Sequence, residues 1–158
     1  MDWLSVLVLL FIALAVVGVI AKRLTTAKRE RAAWTCKPRR VLTDPEQVLF
    51  HRLREAMPEC IVLAQVELSR VVVPTDPDKR NAFALYNRIR GKSLDFVVCL
   101  KDFSVVAALE LDDASHTKSR RAADETKNQA LTSAGIPLIR WNVRSLPTSL
   151  QIQTALKR

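Results

Sequence analysis

Residues 93–116 read SLDFVVCLKDFSVVAALELDDASH. Two apolar runs, SLDFVVCL (93–100) and VVAALEL (105–111), flank the four residues KDFS (101–104). Apolar runs of this length bounded by polar residues read as buried strands, and a four-residue connection makes them an antiparallel hairpin. If Leu100 pairs with Val105, opposite residues have numbers that sum to 205. Asp95 then stands opposite Glu110, with Cβ atoms about 4.5–5.5 Å apart on one face. Asp112 shares that face, because side chains alternate along a strand. Three carboxylates are therefore expected at one end of a sheet face, beyond the apolar Val97, Cys99, Val106 and Ala108. Asp113 points to the other face and belongs to solvent.

Opposed like charges destabilise a ladder, so something must compensate: protonation, a Lys or Arg, or a divalent cation. Hard oxygen ligands suit Mg²⁺ or Mn²⁺. In the competing reading Asp112 and Asp113 end the strand in water and Asp95 pairs with Arg90 or Lys92.

The flanking segments supply the other layers. Thr43-Asp44-Pro45-Glu46 is a helix start, with Thr43 and Glu46 spaced as a capping box. Val48, Leu49, Leu53 and Ala56 form one face of that helix, and Pro58 ends it. IVLAQVEL (61–68) reads as a strand with VVVP (71–74) as a ragged continuation, and PTDPDKR (74–80) reads as loop. NAFALYNRIR (81–90) is a short helix that Gly91 stops. Residues 119–134 form a helix capped by Ser119, with Ala123, Ala130, Leu131 and Ala134 as its apolar stripe and Gly135 beyond its end. IPLIRW (136–141) is a buried strand and PTSLQIQTAL (147–156) a last helix. The β–α–β stretch from 105 to 141 should be a right-handed parallel crossover.

Upstream, residues 3–21, WLSVLVLLFIALAVVGVIA, carry no charge. As a helix they span roughly 28 Å, close to the hydrocarbon thickness of a bilayer. The run is long for a signal peptide and lacks a basic segment before it, which predicts an uncleaved single-pass anchor over 1–21. Residues 22–40 follow with eight basic side chains and one acid, most of the chain's net charge of +9. This belt places the N-terminus outside and the rest in the cytoplasm. It reads as a juxtamembrane linker (22–42) facing anionic headgroups, which leaves 43–158 as the soluble domain. The three cysteines, Cys36, Cys60 and Cys99, show no metal-ligand spacing, and no disulfides are expected.

Three pieces, KSLDFVVC (92–99), ALELDDASH (108–116) and RRAADETKNQALTSAGIPLIRW (120–141), resemble in order and spacing the PD-(D/E)XK nuclease superfamily. Within it they are similar to the branch of very-short-patch-repair endonucleases and related domains of unknown function. The branch carries an Asp on one strand, then Glu-x-Asp followed by His, then a helix with Arg and Asp, then a Gly-containing turn and an apolar strand with Arg. The likeness covers about residues 43–145. It implies an α/β, restriction-endonuclease-like fold, a mixed β-sheet flanked by helices and here preceded by one transmembrane helix. Together with the anchor and the basic belt, it points to a bacterial protein of the inner (cytoplasmic) membrane with its soluble domain in the cytoplasm.

By that resemblance Asp95, Glu110 and Asp112 are the metal-binding and catalytic acids, and His116 is a general acid or base. Asp112 stands where the superfamily usually has a lysine that positions the attacking water. Lys92, Lys118 and Lys127 are near in sequence, none at the expected spacing. Glu46 resembles the acid of the first helix, which the capping box explains equally well. Gln65 either orients the site or faces solvent. Arg121 and Asp124 are i,i+3 neighbours that could pair, or an Arg could hold a phosphate. Arg88, Arg90, Lys92, Lys118, Arg120 and Arg121 are the expected contacts to nucleic acid, DNA rather than RNA. The expected function is metal-dependent phosphodiester hydrolysis at a membrane. The rivals are a catalytically inactive binding or scaffold protein of the same fold and a lipid-surface protein with an incidental acid cluster. The missing lysine and the small net charge of residues 41–158, +3, favour the scaffold.

Overall fold

The computed structural model describes residues 2–30, 36–112 and 118–157; of 24–30 and 118–123 it describes the backbone alone. The chain falls into two compact units, Met1–Arg39 and Arg40–Arg158. The first holds helix α1 (Trp3–Glu30), whose Trp3–Arg23 portion is long and apolar enough to cross a membrane. The helix continues beyond the uncharged run into the segment read as linker, where Lys, Arg and Ala are good helix formers.

The second unit begins with α2 (Asp44–Ala56). Oε2 of Glu46 accepts from the Thr43 N–H at 2.6 Å and from its hydroxyl at 2.7 Å, the contact the capping-box spacing predicts. Then follow β1 (Ile61–Glu67), a 3-10 turn (Leu68–Arg70), α3 (Lys79–Ile89), β2 (Ser93–Cys99) and β3 (Val105–Asp112). The last three elements are α4 (Lys118–Ser133), β4 (Leu138–Asn142) and α5 (Ser149–Leu156). The four strands form one mixed sheet in the order β1-β2-β3-β4, antiparallel except for the parallel pair β3–β4. The unit is thus α/β.

Each face of the sheet has its own core. Phe96, Val98, Ala107 and Leu109 pack with Leu49 and Leu53 of α2 and Ile152 and Leu156 of α5. Val97, Cys99 and Ala108 pack with Leu68, Ile89 of α3 and Leu131 of α4. Arg52 ties α2 to the approach to α5, donating to the carbonyls of Leu146 at 3.1 Å and Pro147 at 2.8 Å.

The hairpin register is the expected one over Phe96↔Leu109, Val97↔Ala108 and Val98↔Ala107. It shifts by one at Cys99↔Val105, where the Leu100 N–H donates to Ser104 across a loop that holds Phe103 at φ +65°. This bulge corrects the expected place of Val106. The extra residue turns it to the α2/α5 side, away from Val97 and Ala108. The stretch 71–74 is not a strand. The N–H groups of Val71 and Val72 both return to the Leu68 carbonyl at 3.0 Å. β2 begins only at Ser93, opposite Glu67, so no β2 residue remains to pair with 71–74. α4 begins at Lys118, one residue before the expected cap Ser119.

Candidate active site

Strict alternation breaks at one point in two neighbouring strands. In β1, Val62 and Ala64 face the α2/α5 core, whereas Val66 packs in the α3/α4 core. In β2, Phe96 faces the former and Leu94 the latter. The pairs Ala64↔Phe96 and Val66↔Leu94 bracket Gln65 and Asp95, so both strands change face at the same level. Gln65 has φ +53°, a left-handed conformation disfavoured for a residue with a Cβ. The kink aims its amide at α2, where Nε2 donates to Oε1 of Glu46 at 2.9 Å. Its Oε1 accepts from the Ser93 hydroxyl at 3.2 Å. Glu46 therefore both caps its helix and reaches β1, and Gln65 joins two layers.

Asp95 occupies this break. Continued, the hairpin register would put Asp95 opposite Glu110, but the ladder stops at Phe96↔Leu109. The Leu111 N–H instead donates to Oδ2 of Asp95 at 2.8 Å, so a side chain takes a main-chain acceptor's place. Burial pushes the Asp95 carboxyl above its ordinary range, the Leu111 N–H pulls it back, and Glu46 and Asp112 push it further up against the opposing charge of Lys127.

Glu110 is 4% exposed, the buried charged residue among those described. Its Oε1 accepts a hydrogen bond from Nζ of Lys127, itself mostly buried on α4. Burial again raises this carboxyl most, Lys127 lowers it, Asp95 raises it and Arg140 lowers it. Lys127 lies 17 residues from Glu110, and the parallel crossover brings α4 back over the end of β3.

Arg140 is the second cation. It is the β4 partner of Glu110, and its Nη1 lies 3.5 Å from Oδ1 of Asp112 and 3.5 Å from Oδ1 of Asp124. Its Nη2 is buried without a hydrogen-bond partner among the described residues. Asp112 is thus turned to a guanidinium, and Asp124, for which pairing with Arg121 is one of two open readings of the sequence, meets Arg140. Sequence reasoning overlooked Arg140 as a site residue. The signal was there, since a lone Arg inside the apolar run IPLIRW must find anions when buried.

The structure therefore brings Glu46, Gln65, Asp95, Glu110, Asp112, Asp124, Lys127 and Arg140 to one end of the sheet. Lys127, too far in sequence for the motif spacing, is the lysine that reaches the acids among the described residues. Arg90 is the exposed C-cap of α3 and Lys92 is half-buried before β2. Lys118, Arg120 and Arg121 lie in the first turn of α4, where the backbone alone is described. Asp113 and His116 fall outside the described residues. Among the described residues no three His, Cys, Asp or Glu side chains are grouped to hold a metal ion. Asp95 and Glu110 are close enough for the charge of one to act on the other, and these are the two carboxylates that could hold a hard cation, which keeps most of its waters and needs only one or two.

Compared with known families, residues 38–157 match the model described as a protein of unknown function, DUF2726. No curated protein and no solved structure matches.

Proposed function

The chain belongs to the DUF2726 family, and on that premise we propose that its second unit is a membrane-anchored, Mg²⁺- or Mn²⁺-dependent nuclease-like domain that hydrolyses phosphodiesters of nucleic acid. The observation that carries this reading is the buried Glu110, held by Lys127 beside Asp95 at a break in the sheet. Two carboxyls pushed up by burial at one strand end are the kind of pair that metal-assisted chemistry uses. The mixed sheet between helices agrees with a restriction-endonuclease-like core.

Asp95 and Glu110 would hold the cation. When bound, it supplies Lewis-acid stabilisation of the scissile phosphate and a water of lowered pKa. Lys127 fills the role that Asp112 leaves open: its ammonium offsets the charge of Glu110 and is placed to orient a water or a phosphate oxygen. Arg140 lies between Asp112 and Asp124 and offsets part of their negative charge. His116 and the basic residues Lys118, Arg120 and Arg121 follow the acids in sequence and are the groups for proton transfer and backbone phosphates. α1 serves as an uncleaved anchor with the domain on the cytoplasmic side, a reading supported by the basic belt after the apolar run.

The scaffold reading draws on one observation, that Asp112 is committed to Arg140 and completes no three-ligand group. Purified residues 40–158, assayed on plasmid and single-stranded DNA with Mg²⁺, Mn²⁺ or EDTA, separate the two. Metal-dependent cleavage lost in Asp95→Asn and Glu110→Gln is expected. Cleavage that survives in both variants defeats the metal assignment, and none in the parent leaves the scaffold.

A further inference from the structure

α3 presents two different faces. Ala82, Leu85 and Ile89 recur at helical spacing; Ile89 is packed into the α3/α4 core, and Leu85 is 38% exposed. Lys79, Phe83, Tyr86 and the C-cap Arg90 follow each other at i+4, i+3 and i+4 on the neighbouring face, roughly 100° round the helix. Phe83 is 66% exposed and Tyr86 42% exposed. A soluble helix gains nothing from two aromatic rings held in water, one turn apart, between cations.

The charge around them has one sign. Residues 79–92, KRNAFALYNRIRGK, hold five Lys or Arg and no Asp or Glu. The preceding acid, Asp78, is engaged as the N-cap of α3, accepting from the Arg80 N–H at 2.8 Å. Glu67, at the far end, accepts from the Gly91 N–H at 2.8 Å and pins the end of α3 to the end of β1. From there the chain reaches Asp95 in four residues. The stripe thus runs for roughly 16 Å along α3 toward the acid end of the sheet.

Cations that track a backbone, interleaved with rings on which bases stack, are the elements of a surface for unpaired nucleic acid. A duplex hides its base faces and would use the cations alone. A membrane-binding helix would present one continuous apolar face, whereas here Ile89 is taken up in the α3/α4 core and the exposed rings are flanked by cations. We infer that the Lys79–Phe83–Tyr86–Arg90 stripe of α3 is a stacking platform that delivers single-stranded nucleic acid to the acid site. This deepens the nuclease reading and rests on it for the destination of the strand.

The test measures anisotropy of labelled oligo-dT, oligo-rU and a DNA duplex with the full chain in nanodiscs of neutral lipid, in EDTA. Phe83→Ala and Tyr86→Ala should each weaken single strands by about tenfold, and the duplex by less than about twofold. Oligo-dT against oligo-rU reads which sugar is preferred. Both variants remove exposed side chains, so melting should not change. A double variant that holds single strands as tightly as the parent overturns the platform. So does a loss seen only on phosphatidylglycerol vesicles, which makes the stripe a membrane contact. Glu110→Gln should keep oligonucleotide binding. If the stripe-dependent binding is found but the parent cleaves nothing with Mg²⁺ or Mn²⁺, the nuclease reading alone falls. If the parent cleaves and the stripe is irrelevant, the platform alone falls.

Discussion

Nζ of Lys127 on α4 is hydrogen-bonded to Oε1 of Glu110 on β3, and the pair is mostly buried. An internal cation thus occupies the position where a cluster of acids requires positive charge. Lys127 and a bound divalent ion would compete for Glu110, and that competition makes the site open to measurement without any knowledge of the substrate.

Removing the ammonium should expose the cost of a buried charge. Lys127→Met leaves Glu110 without its partner, and breaking a buried pair costs up to about 3–5 kcal/mol. Proton uptake by Glu110 limits that loss. The destabilisation, read from urea unfolding, should be greatest at neutral pH and shrink on acidification. Adding Glu110→Gln should recover most of it, because the orphaned charge is gone. A double variant no more stable than Lys127→Met would contradict the pairing.

The pH dependence has a definite sign. Asp95 and Glu110 both titrate above their ordinary range, chiefly because burial disfavours the anion. The folded state therefore binds their protons more tightly than the unfolded one. Their contribution to stability is fully present below the ordinary carboxylate range and is lost as pH rises through the raised folded values. In EDTA, Asp95→Asn should melt above the parent at neutral pH, and the gap should close as pH falls below the ordinary Asp value. Asn retains an oxygen to accept the Leu111 N–H. Millimolar Mg²⁺ or Mn²⁺ should raise the parent's melting temperature and leave Asp95→Asn unchanged.

Arg140 links β4 to two carboxylates on separate elements. Lysine in its place keeps the charge but lacks the fork that reaches both. Arg140→Lys should lower stability by about 1–2 kcal/mol, at the lower end for charged hydrogen bonds because both contacts are 3.5 Å long. In Asp112→Asn/Asp124→Asn, the same Arg140→Lys change should cost much less. Equal losses in both backgrounds would show that Arg140 acts through packing.

Gln65 combines an unfavourable backbone with a useful side chain. Gln65→Ala keeps the positive φ and loses the bond to Glu46, whereas Gln65→Gly loses the bond and relieves the backbone. The alanine variant should therefore be less stable than the glycine variant by about 1 kcal/mol. Both should reduce any metal-dependent cleavage, because the kink at Gln65 coincides with the level of Asp95.

Much of this domain is local enough to read from the chain. The capping box at Thr43 and Glu46 is complete within four residues. The hairpin register expected from the chain holds from Phe96 to Val98 and so brings Asp95 near Glu110, although the ladder stops before the two face each other. The uncharged run at 3–21 needs only its own length to read as a helix that can cross a membrane. The bulge that turns Val106 was not legible, because loop closure around Phe103 decides it. Nor was the end of the first strand, which depends on where its partner begins.

The identity of the counter-charges was decided by the tertiary structure alone. Lys127 and Arg140 are 17 and 30 residues from Glu110 and lie on different elements. They meet it because a parallel crossover returns α4 across the sheet and sets β4 beside β3. The sequence by itself determined that acids would gather at a strand end, since periodicity and register are short-range properties. Which cations answer them is a matter of long-range packing, where the cost of a buried carboxylate selects whatever positive group the fold brings within reach.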